Sequence, residues 1–195
     1  MRRFVVVIDT QSDFMHADGA LAVAGAEAII PAAEAFLRAL RPAETAGVLF
    51  TFDTHEPEPF AASEEGKEFP LHCVRGSAGW RNVLEPSLVD AAIPVWRLEK
   101  GVFDMWKEPD VEIRSAREGD AAATARDDFF NDLLARGVRD VTVIGVAADY
   151  CVKWAVDGLA ARGFSVTVPR ALTRGIHRDI DAVAAEDFGG RLAVG

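Results

Sequence analysis

The most reactive side chain in this sequence is the thiol of Cys151, one of two cysteines. It lies in the segment GVAADYCVKWAV, directly after the apolar run VTVIG, which predicts that a strand ends and a helix begins close to it. At the start of a helix, free backbone N–H groups and the helix dipole favour a thiolate. A buried cysteine is more often a small hydrophobic residue, so a nucleophilic role for Cys151 requires an acid–base partner.

Candidate partners for this thiol follow other apolar runs of the chain. Asp9 ends the first run, and Asp53 ends the second, with His55 two residues later. The third run leads into Lys100. A carboxylate can accept the thiol proton, and an ammonium group can stabilise the thiolate and the charge of a tetrahedral intermediate. Taken singly, Asp9 could instead cap the following turn and Lys100 could be a solvated surface charge.

The elements that must position these groups alternate along the chain. Runs rich in β-branched residues are near-continuously apolar, which is typical of parallel strands covered on both faces. They predict strands at Phe4–Asp9, Gly47–Asp53, Ile93–Leu98, Asp140–Gly145 and Phe164–Pro169, with RLAV near the end as a candidate sixth, edge strand. Three- and four-residue apolar spacing predicts helices within residues 26–41, 123–137, 150–163 and 178–189.

This alternation predicts a single domain over residues 1–195 of the α/β class. Its architecture would be a three-layer αβα arrangement around a doubly wound, mostly parallel sheet of about six strands. In such sheets, ligands bind beyond the carboxyl ends of the strands, which is where the candidate acid, base and nucleophile are expected to meet. Two stretches, Thr54–Gly79 and Val102–Gly119, follow neither pattern and are expected to be irregular.

Composition and charge argue against several classes of function. The 195-residue chain has a formal net charge of −10, which disfavours nucleic acid and anionic membranes as partners. The apolar run before Asp9 is too short for a signal peptide or a membrane span. Two cysteines make no disulfide framework, so the expected location is the cytoplasm. Without a glycine-rich phosphate turn after Asp9, a nucleotide-dependent oxidoreductase is disfavoured.

Four groups of motifs follow one another along the chain from Phe4 to about Ile176. They are VVVIDTQSDF with GALAV and AIIP, TFDTHEPEPF with FPLHCVRGSAGW, EKG, and VIGVAADYCVKWAV. Each is weak by itself, but in this order the set is specific. Through them the sequence resembles the isochorismatase-like cysteine hydrolases, and within those it is most similar to the nicotinamidases.

The resemblance implies catalysis by a cysteine nucleophile. It assigns Asp9 as general base, Lys100 as electrostatic stabiliser and Cys151 as nucleophile. It also implies an oxyanion hole from the backbone N–H groups of Ala147 and Cys151, beside a cis peptide between Val146 and Ala147. The implied reaction converts nicotinamide to nicotinic acid and ammonia, as in NAD salvage. The alternative is a related hydrolase of an N-carbamoyl or ureido compound or another small amide.

A divalent metal ion is also implied by the resemblance, with Asp53, His55 and His72 as its ligands. Three protein ligands completed by water suit zinc, with iron or manganese as alternatives. Glu64 or Glu65 is a further candidate ligand. Without the resemblance, these groups could be loop residues bonded to the backbone and a satisfied buried histidine. No organic cofactor is expected.

The substrate pocket is where the sequence departs from the family pattern. Phe14 would supply an aromatic wall, and Ser12 stands where the family usually has Asn. The segment Val102–Gly119 replaces a Tyr/Ser-rich stretch, with Phe103 and Trp106 as candidate substitutes. Phe14 and Trp106 are equally compatible with core packing. The expected partner is a small-molecule amide, and self-association into a homo-oligomer is left open.

Overall fold

Strands and helices alternate along most of the chain in the structure, a computed structural model that describes residues 2–117 and 122–195. The strands are β1 (Arg3–Ile8), β2 (Thr45–Asp53), β3 (Val95–Lys100), β4 (Glu112–Ser115), β5 (Thr124–Ala125), β6 (Asp140–Val146), β7 (Ser165–Val168), β8 (Thr173–Arg174) and β9 (Ala193–Val194). The α-helices are α1 (Ser12–Met15), α2 (Ile30–Arg38), α3 (Pro57–Ala62), α4 (Glu64–Glu68), α5 (Arg126–Ala135), α6 (Lys153–Ala161) and α7 (Ile180–Glu186). Short 3₁₀ turns lie at Glu27–Ile29, Pro86–Leu88 and Arg170–Leu172, and a π-type turn spans Ala148–Val152. None of the helices in the described residues has the length and apolar character needed to cross a membrane.

All of these strands join one sheet in the order β5-β4-β3-β2-β1-β6-β7-β9, with β8 pairing with β6. The pairings β3–β2, β2–β1, β1–β6, β6–β7, β7–β9 and β6–β8 are parallel. The pairings β3–β4 and β4–β5, at one edge of the sheet, are antiparallel. The chain moves outward from β1 to β3 and later returns to place β6 on the other side of β1. The strand order therefore reverses between β1 and β6, and such a reversal opens a crevice at the carboxyl ends of the strands.

Helices cover both faces of this sheet, because strands such as β1 have apolar side chains on both faces. Successive side chains of a strand point to opposite faces. Phe4, Val6 and Ile8 are buried in a core shared with α5, α6 and α7. Val5 and Val7 are buried on the opposite face, in a core shared with α2. The continuous apolar run of β1 thus serves two cores, and the predicted three-layer α/β architecture is confirmed.

The five predicted main strands are present, and β9 lies within the candidate edge strand RLAV. Several short elements were not anticipated, among them α1, β5 and β8, and three that lie in the stretches expected to be irregular. The helices α3 and α4 occupy part of Thr54–Gly79, and β4 lies inside Val102–Gly119, of which residues 118 and 119 fall outside the described residues. The strand β4 escapes pattern reading because Ile113 is its one fully buried residue, and the short helices are too brief to show a helical period.

Gly145 determines how closely β6 can approach β1. It pairs with Ile8 in the parallel ladder, and its φ of 109° is a conformation that residues with a side chain rarely adopt. A Cβ atom at this position would lie 2.1 Å from the backbone oxygen of Ile8. The absence of a side chain therefore lets the two strands meet immediately before the loops that carry Asp9 and Cys151.

We expect Gly145→Ala to lower the free energy of unfolding by at least about 2 kcal/mol, because it adds a steric clash with Ile8 to the unfavourable φ. Gly137→Ala is the matched control, since Gly137 has a φ of 79° but an added Cβ would meet nothing within 4 Å. That change should cost about 1 kcal/mol for the backbone conformation alone. Urea unfolding of both variants measures the difference, and equal losses would contradict the steric role of Gly145.

Candidate active site

Four strand ends deliver buried reactive groups to the crevice beside β1 and β6. Asp9 directly follows β1, Asp53 ends β2, and Lys100 ends β3. Asp53 and Lys100 are direct partners in the β2–β3 ladder. Cys151 lies in the π-type turn that follows β6. The structure thus brings together the acid, base and nucleophile candidates that the sequence predicts at this edge.

The ammonium group of Lys100 is the centre of this arrangement. Its Nζ lies 2.8 Å from Oδ2 of Asp9, 3.1 Å from Oδ1 of Asp53 and 3.5 Å from Sγ of Cys151. The Lys100 side chain is 1% exposed. An unpaired ammonium group at such depth would be strongly destabilising, so both carboxylates are needed to retain it as a cation.

The environment also determines which groups hold protons. Burial acts to lower the pKa of Lys100, but the carboxylates of Asp53 and Asp9 outweigh it and raise that pKa well above its usual range. Burial raises the pKa of Cys151 well above its usual range, although Lys100 opposes this. The free chain therefore carries a neutral thiol rather than the thiolate that a helix start favours. For the thiol to act as a nucleophile, its proton would have to leave, and the neighbouring carboxylate of Asp9, which also acts to raise this pKa, is the candidate acceptor.

The backbone around Cys151 explains why the helix-start expectation is only partly met. The residue lies inside a π-type turn in which Tyr150 has non-helical angles, with φ −126° and ψ −105°. Regular helix α6 begins two residues later, at Lys153. The thiol is therefore buried in a kinked turn against the sheet, instead of standing in the first turn of a straight helix.

The turn Ala148–Val152, called here the nucleophile turn after the predicted role of Cys151, is tied to the segment that follows β8. The peptide bond between Val146 and Ala147 is cis, as the resemblance implies. The buried carboxylate of Asp149 accepts hydrogen bonds from three successive backbone N–H groups of the segment after β8, those of Ile176 (2.9 Å), His177 (2.7 Å) and Arg178 (2.9 Å). Asp149 thereby ties the turn to a distant part of the chain, a role that sequence reasoning did not anticipate.

A second buried cluster lies next to the first and consists of Asp53, His55, Glu65 and His72. Oδ2 of Asp53 lies 3.1 Å from Nε2 of His55 and 3.0 Å from Nε2 of His72. Oε1 of Glu65 lies 3.5 and 3.3 Å from the same two nitrogens. Zinc ligands about 2.0–2.1 Å from their ion stand about 3.3 Å apart, so these separations fit ligand atoms around a shared divalent ion.

The chemistry of this donor set also fits a metal ion. Burial acts to lower the pKa values of both imidazoles, but the carboxylates of Asp53 and Glu65 outweigh it, raising that of His55 to about 9 and that of His72 to about 10. The cluster therefore favours bound positive charge, which protons or a divalent cation can supply. His72 donates from Nδ1 to the backbone oxygen of Pro70 at 2.7 Å, which directs its Nε2 toward the cluster.

The structure distinguishes the two glutamates that the sequence left as alternatives. Glu65 is buried and joins the cluster from α4. Glu64, its neighbour, is exposed and pairs with Lys67 on the surface. Both lie in the first turn of α4, which is preceded by Ser63; the hydroxyl of Ser63 accepts a hydrogen bond from the N–H of Gly66 and caps the helix. The cap orients α4 so that one glutamate faces inward and the other outward.

Asp53 connects the two clusters, because its Oδ1 contacts Lys100 and its Oδ2 contacts the two histidines. Its pKa is lowered well below the usual value, since Lys100 and the histidines outweigh the effect of burial, which raises it. Gln11 fixes its backbone by donating to the oxygen of Asp53 at 2.8 Å and accepting from its N–H at 2.7 Å. Sequence reasoning did not select Gln11, because an amide in a loop carries no functional pattern.

The two aromatic residues predicted to contact substrate have different surroundings. The buried ring of Phe14 lies 5.2 Å from the ring of His72, beside the metal-ligand candidates. The ring of Trp106 lies 4.9 Å from that of Phe130 and 3.8 Å from the guanidinium of Arg162, in the helical layer. These contacts favour the core-packing alternative for Trp106, whereas its role toward substrate stays a prediction.

Phe103, the other aromatic residue of the divergent segment, lies closer to the nucleophile turn. Its ring is 5.2 Å from that of Tyr150, the residue preceding Cys151, and 5.7 Å from that of Phe69. Phe69 follows the helix that supplies Glu65, and its ring contacts that of Tyr150 at 5.3 Å. Three rings from three segments therefore meet next to the turn that carries the thiol.

Known proteins are similar to this chain in both sequence and fold. The model of the Isochorismatase domain matches residues 3–191. The nicotinamidase/pyrazinamidase of Mycobacterium tuberculosis is 31% identical over 190 residues, covering 95% of this chain and 94% of that protein. The pyrazinamidase of Pyrococcus horikoshii, solved in complex with zinc, is 29% identical with a TM-score of 0.71, covering 100% of this chain and 99% of that chain. PnC1 from L. infantum, solved in complex with nicotinate, is 26% identical with a TM-score of 0.72, covering 100% and 92%.

We expect protein purified without chelator to contain close to one divalent ion per chain, and Glu65→Gln to bind that ion at least about tenfold more weakly. Glu64→Gln is the matched control: it removes the same charge one residue away and should bind metal like the parent. Elemental analysis and competition with a chromophoric chelator measure both quantities. Equal metal affinity of the two variants would remove Glu65 from the ligand set.

Proposed function

Because this chain belongs to the isochorismatase domain family and is an amidohydrolase of carbon–nitrogen bonds, we propose that it hydrolyses nicotinamide to nicotinic acid and ammonia. The observation that carries the proposal is the shared carboxylate of Asp53, which joins the cluster around Lys100 to the histidine cluster. The first cluster suits acyl transfer from an amide, and the second suits a substrate with its own metal-binding atom. Nicotinamide combines a primary carboxamide with a ring nitrogen. The similar proteins named as nicotinamidase or pyrazinamidase, and the relative solved with nicotinate, support this choice.

The proposed reaction is acyl transfer through Cys151. The sulfur attacks the carboxamide carbon while Asp9 takes the thiol proton, since Asp9 and Cys151 both lie next to the ammonium group of Lys100. Asp9 passes this proton to the departing nitrogen, so ammonia leaves and a thioester remains on Cys151. Asp9 then removes a proton from a water molecule that attacks the thioester. Nicotinic acid is released as the proton returns to the sulfur.

Negative charge develops on the substrate oxygen and on sulfur during these steps. Lys100 is placed to stabilise it, because its Nζ lies 3.5 Å from Sγ of Cys151 and stays cationic between two carboxylates. We assign the oxyanion hole to the backbone N–H groups of Ala147 and Cys151. Their position at the start of and within the nucleophile turn supports this assignment.

Substrate orientation is assigned to the second cluster. A divalent ion held by Asp53, His55, Glu65 and His72 would supply a coordination position for the ring nitrogen of nicotinamide, and two imidazoles with two carboxylates suit zinc. Phe14, in ring contact with His72, would provide an apolar wall for the pyridine ring. Because Asp53 also contacts Lys100, an amide oriented from this cluster would be held next to the thiol.

Cys151→Ala should abolish turnover of nicotinamide while leaving the protein folded, because no other group can form the thioester. Asp9→Asn and Lys100→Ala should each lower kcat at least about a hundredfold, the scale for removing an acid–base group or a charge stabiliser. Cys73→Ala serves as the control for loss of a buried free thiol and should retain activity. Ammonia release by each variant, with circular dichroism for folding, measures the effects. Substantial turnover by Cys151→Ala would overturn the mechanism.

The substrate itself is tested by kcat/KM values on metal-replete protein. Nicotinamide and pyrazinamide, which carry a ring nitrogen, should be hydrolysed at least about tenfold more efficiently than benzamide, because a lost polar partner costs more than a change of apolar shape. An N-carbamoyl amino acid should be a poor substrate. Efficient cleavage of the carbamoyl compound, with neither pyridine nor pyrazine carboxamide turned over, would favour the alternative reaction.

A further inference from the structure

Asp9 has an unusual backbone conformation for a residue with a chemical role. Its φ is 46°, in the left-handed region that residues other than glycine adopt infrequently. Residues held in such conformations require surroundings that determine them. The carboxylate of Asp9 must also have a defined orientation to accept the proton of Cys151. Its Oδ2 lies 2.8 Å from Nζ of Lys100, and the same Nζ lies 3.5 Å from Sγ of Cys151.

A single hydroxyl group meets both requirements. Thr51 is fully buried on β2 and its Oγ1 accepts a hydrogen bond from the backbone N–H of Asp9 at 3.1 Å. The same hydroxyl donates to Oδ1 of Asp9 at 2.5 Å. Because its proton is committed to Oδ1, the hydroxyl holds the main chain and the carboxylate of Asp9 at the same time.

We propose that Thr51 is a positioning residue for the hydrolytic reaction, in which its hydroxyl group holds the Asp9 carboxylate in the orientation that accepts the proton of Cys151. The inference rests on the proposed function, because it takes Asp9 as the base. Both hydrogen bonds of the Thr51 hydroxyl in the described part of the chain are made with Asp9, so Thr51 acts through Asp9. With Oδ1 bound to Thr51 and Oδ2 to Lys100, the carboxylate plane is fixed by two neighbouring strands, β2 and β3.

The same strand offers a matched control. Thr45 begins β2 and is 1% exposed, and its hydroxyl has no hydrogen-bond partner among the residues that the structure describes. Thr45→Val and Thr51→Val therefore remove the same hydroxyl from the same buried strand at nearly constant shape. Only the second change removes hydrogen bonds to Asp9.

The first measurement is the separation of kcat from KM for nicotinamide on metal-replete protein. Thr51→Val should lower kcat about ten- to hundredfold, with KM within about threefold of the parent, because the base is misplaced while the binding groups remain. Thr51→Ser keeps the hydroxyl and should restore kcat to within about threefold. Thr45→Val should match the parent. If Thr51→Val does not fold, Thr51→Cys retains a weak donor and should give an intermediate loss of kcat.

The second measurement does not depend on the identity of the substrate. Alkylation of Cys151 by iodoacetamide, followed at its own peptide by mass spectrometry, also requires removal of the thiol proton. Thr51→Val should react at least about fivefold more slowly than Thr45→Val. If the parent hydrolyses no amide, the proposed function fails, and this rate alone decides the role of Thr51. Alkylation equal to that of Thr45→Val, or a loss confined to KM, or failure of Thr51→Ser to restore kcat, would overturn the positioning role.

Discussion

The ammonium group of Lys100 lies in the interior between the carboxylates of Asp9 and Asp53, at 2.8 and 3.1 Å. A cation at this depth is stable only when charged partners replace the water it has lost. The same ammonium group lies 3.5 Å from Sγ of Cys151, and Asp53 also contacts the two histidines. These contacts therefore hold the candidate nucleophile, the candidate base and the candidate metal ligands in one connected network.

A second layer of hydrogen bonds maintains this network at the strand ends. Gln11 fixes the backbone of Asp53, Thr51 fixes Asp9, and Asp149 fixes the nucleophile turn. These groups are polar and mostly or fully buried, which is tolerated because their hydrogen-bonding atoms are paired. These hydrogen bonds fix the floor of the crevice, where proton transfer requires the donor and acceptor to lie within hydrogen-bond reach.

The two clusters differ in the charge that they favour. Around Lys100, a fixed cation faces a neutral thiol and an acceptor carboxylate, which is an arrangement for moving one proton and stabilising the anion that results. Around His55 and His72, two carboxylates favour bound positive charge. Asp53 belongs to both, so an ion at the histidines and the ammonium at Lys100 share one counter-charge.

The sequence by itself determined the architecture and the main candidate reactive groups, because both depend on patterns of residues that are neighbours in the chain. Apolar runs specify strands, polar residues after them fall at the carboxyl edge, and parallel order brings Asp9, Asp53, Lys100 and Cys151 together there. What only the tertiary structure decided depends on contacts between residues distant in the chain. Thr51 lies 42 residues from Asp9, and Glu65 differs from Glu64 only in the direction that α4 gives it. The protonated state of Cys151 likewise follows from burial in a kinked turn, which the pattern of its own segment does not contain.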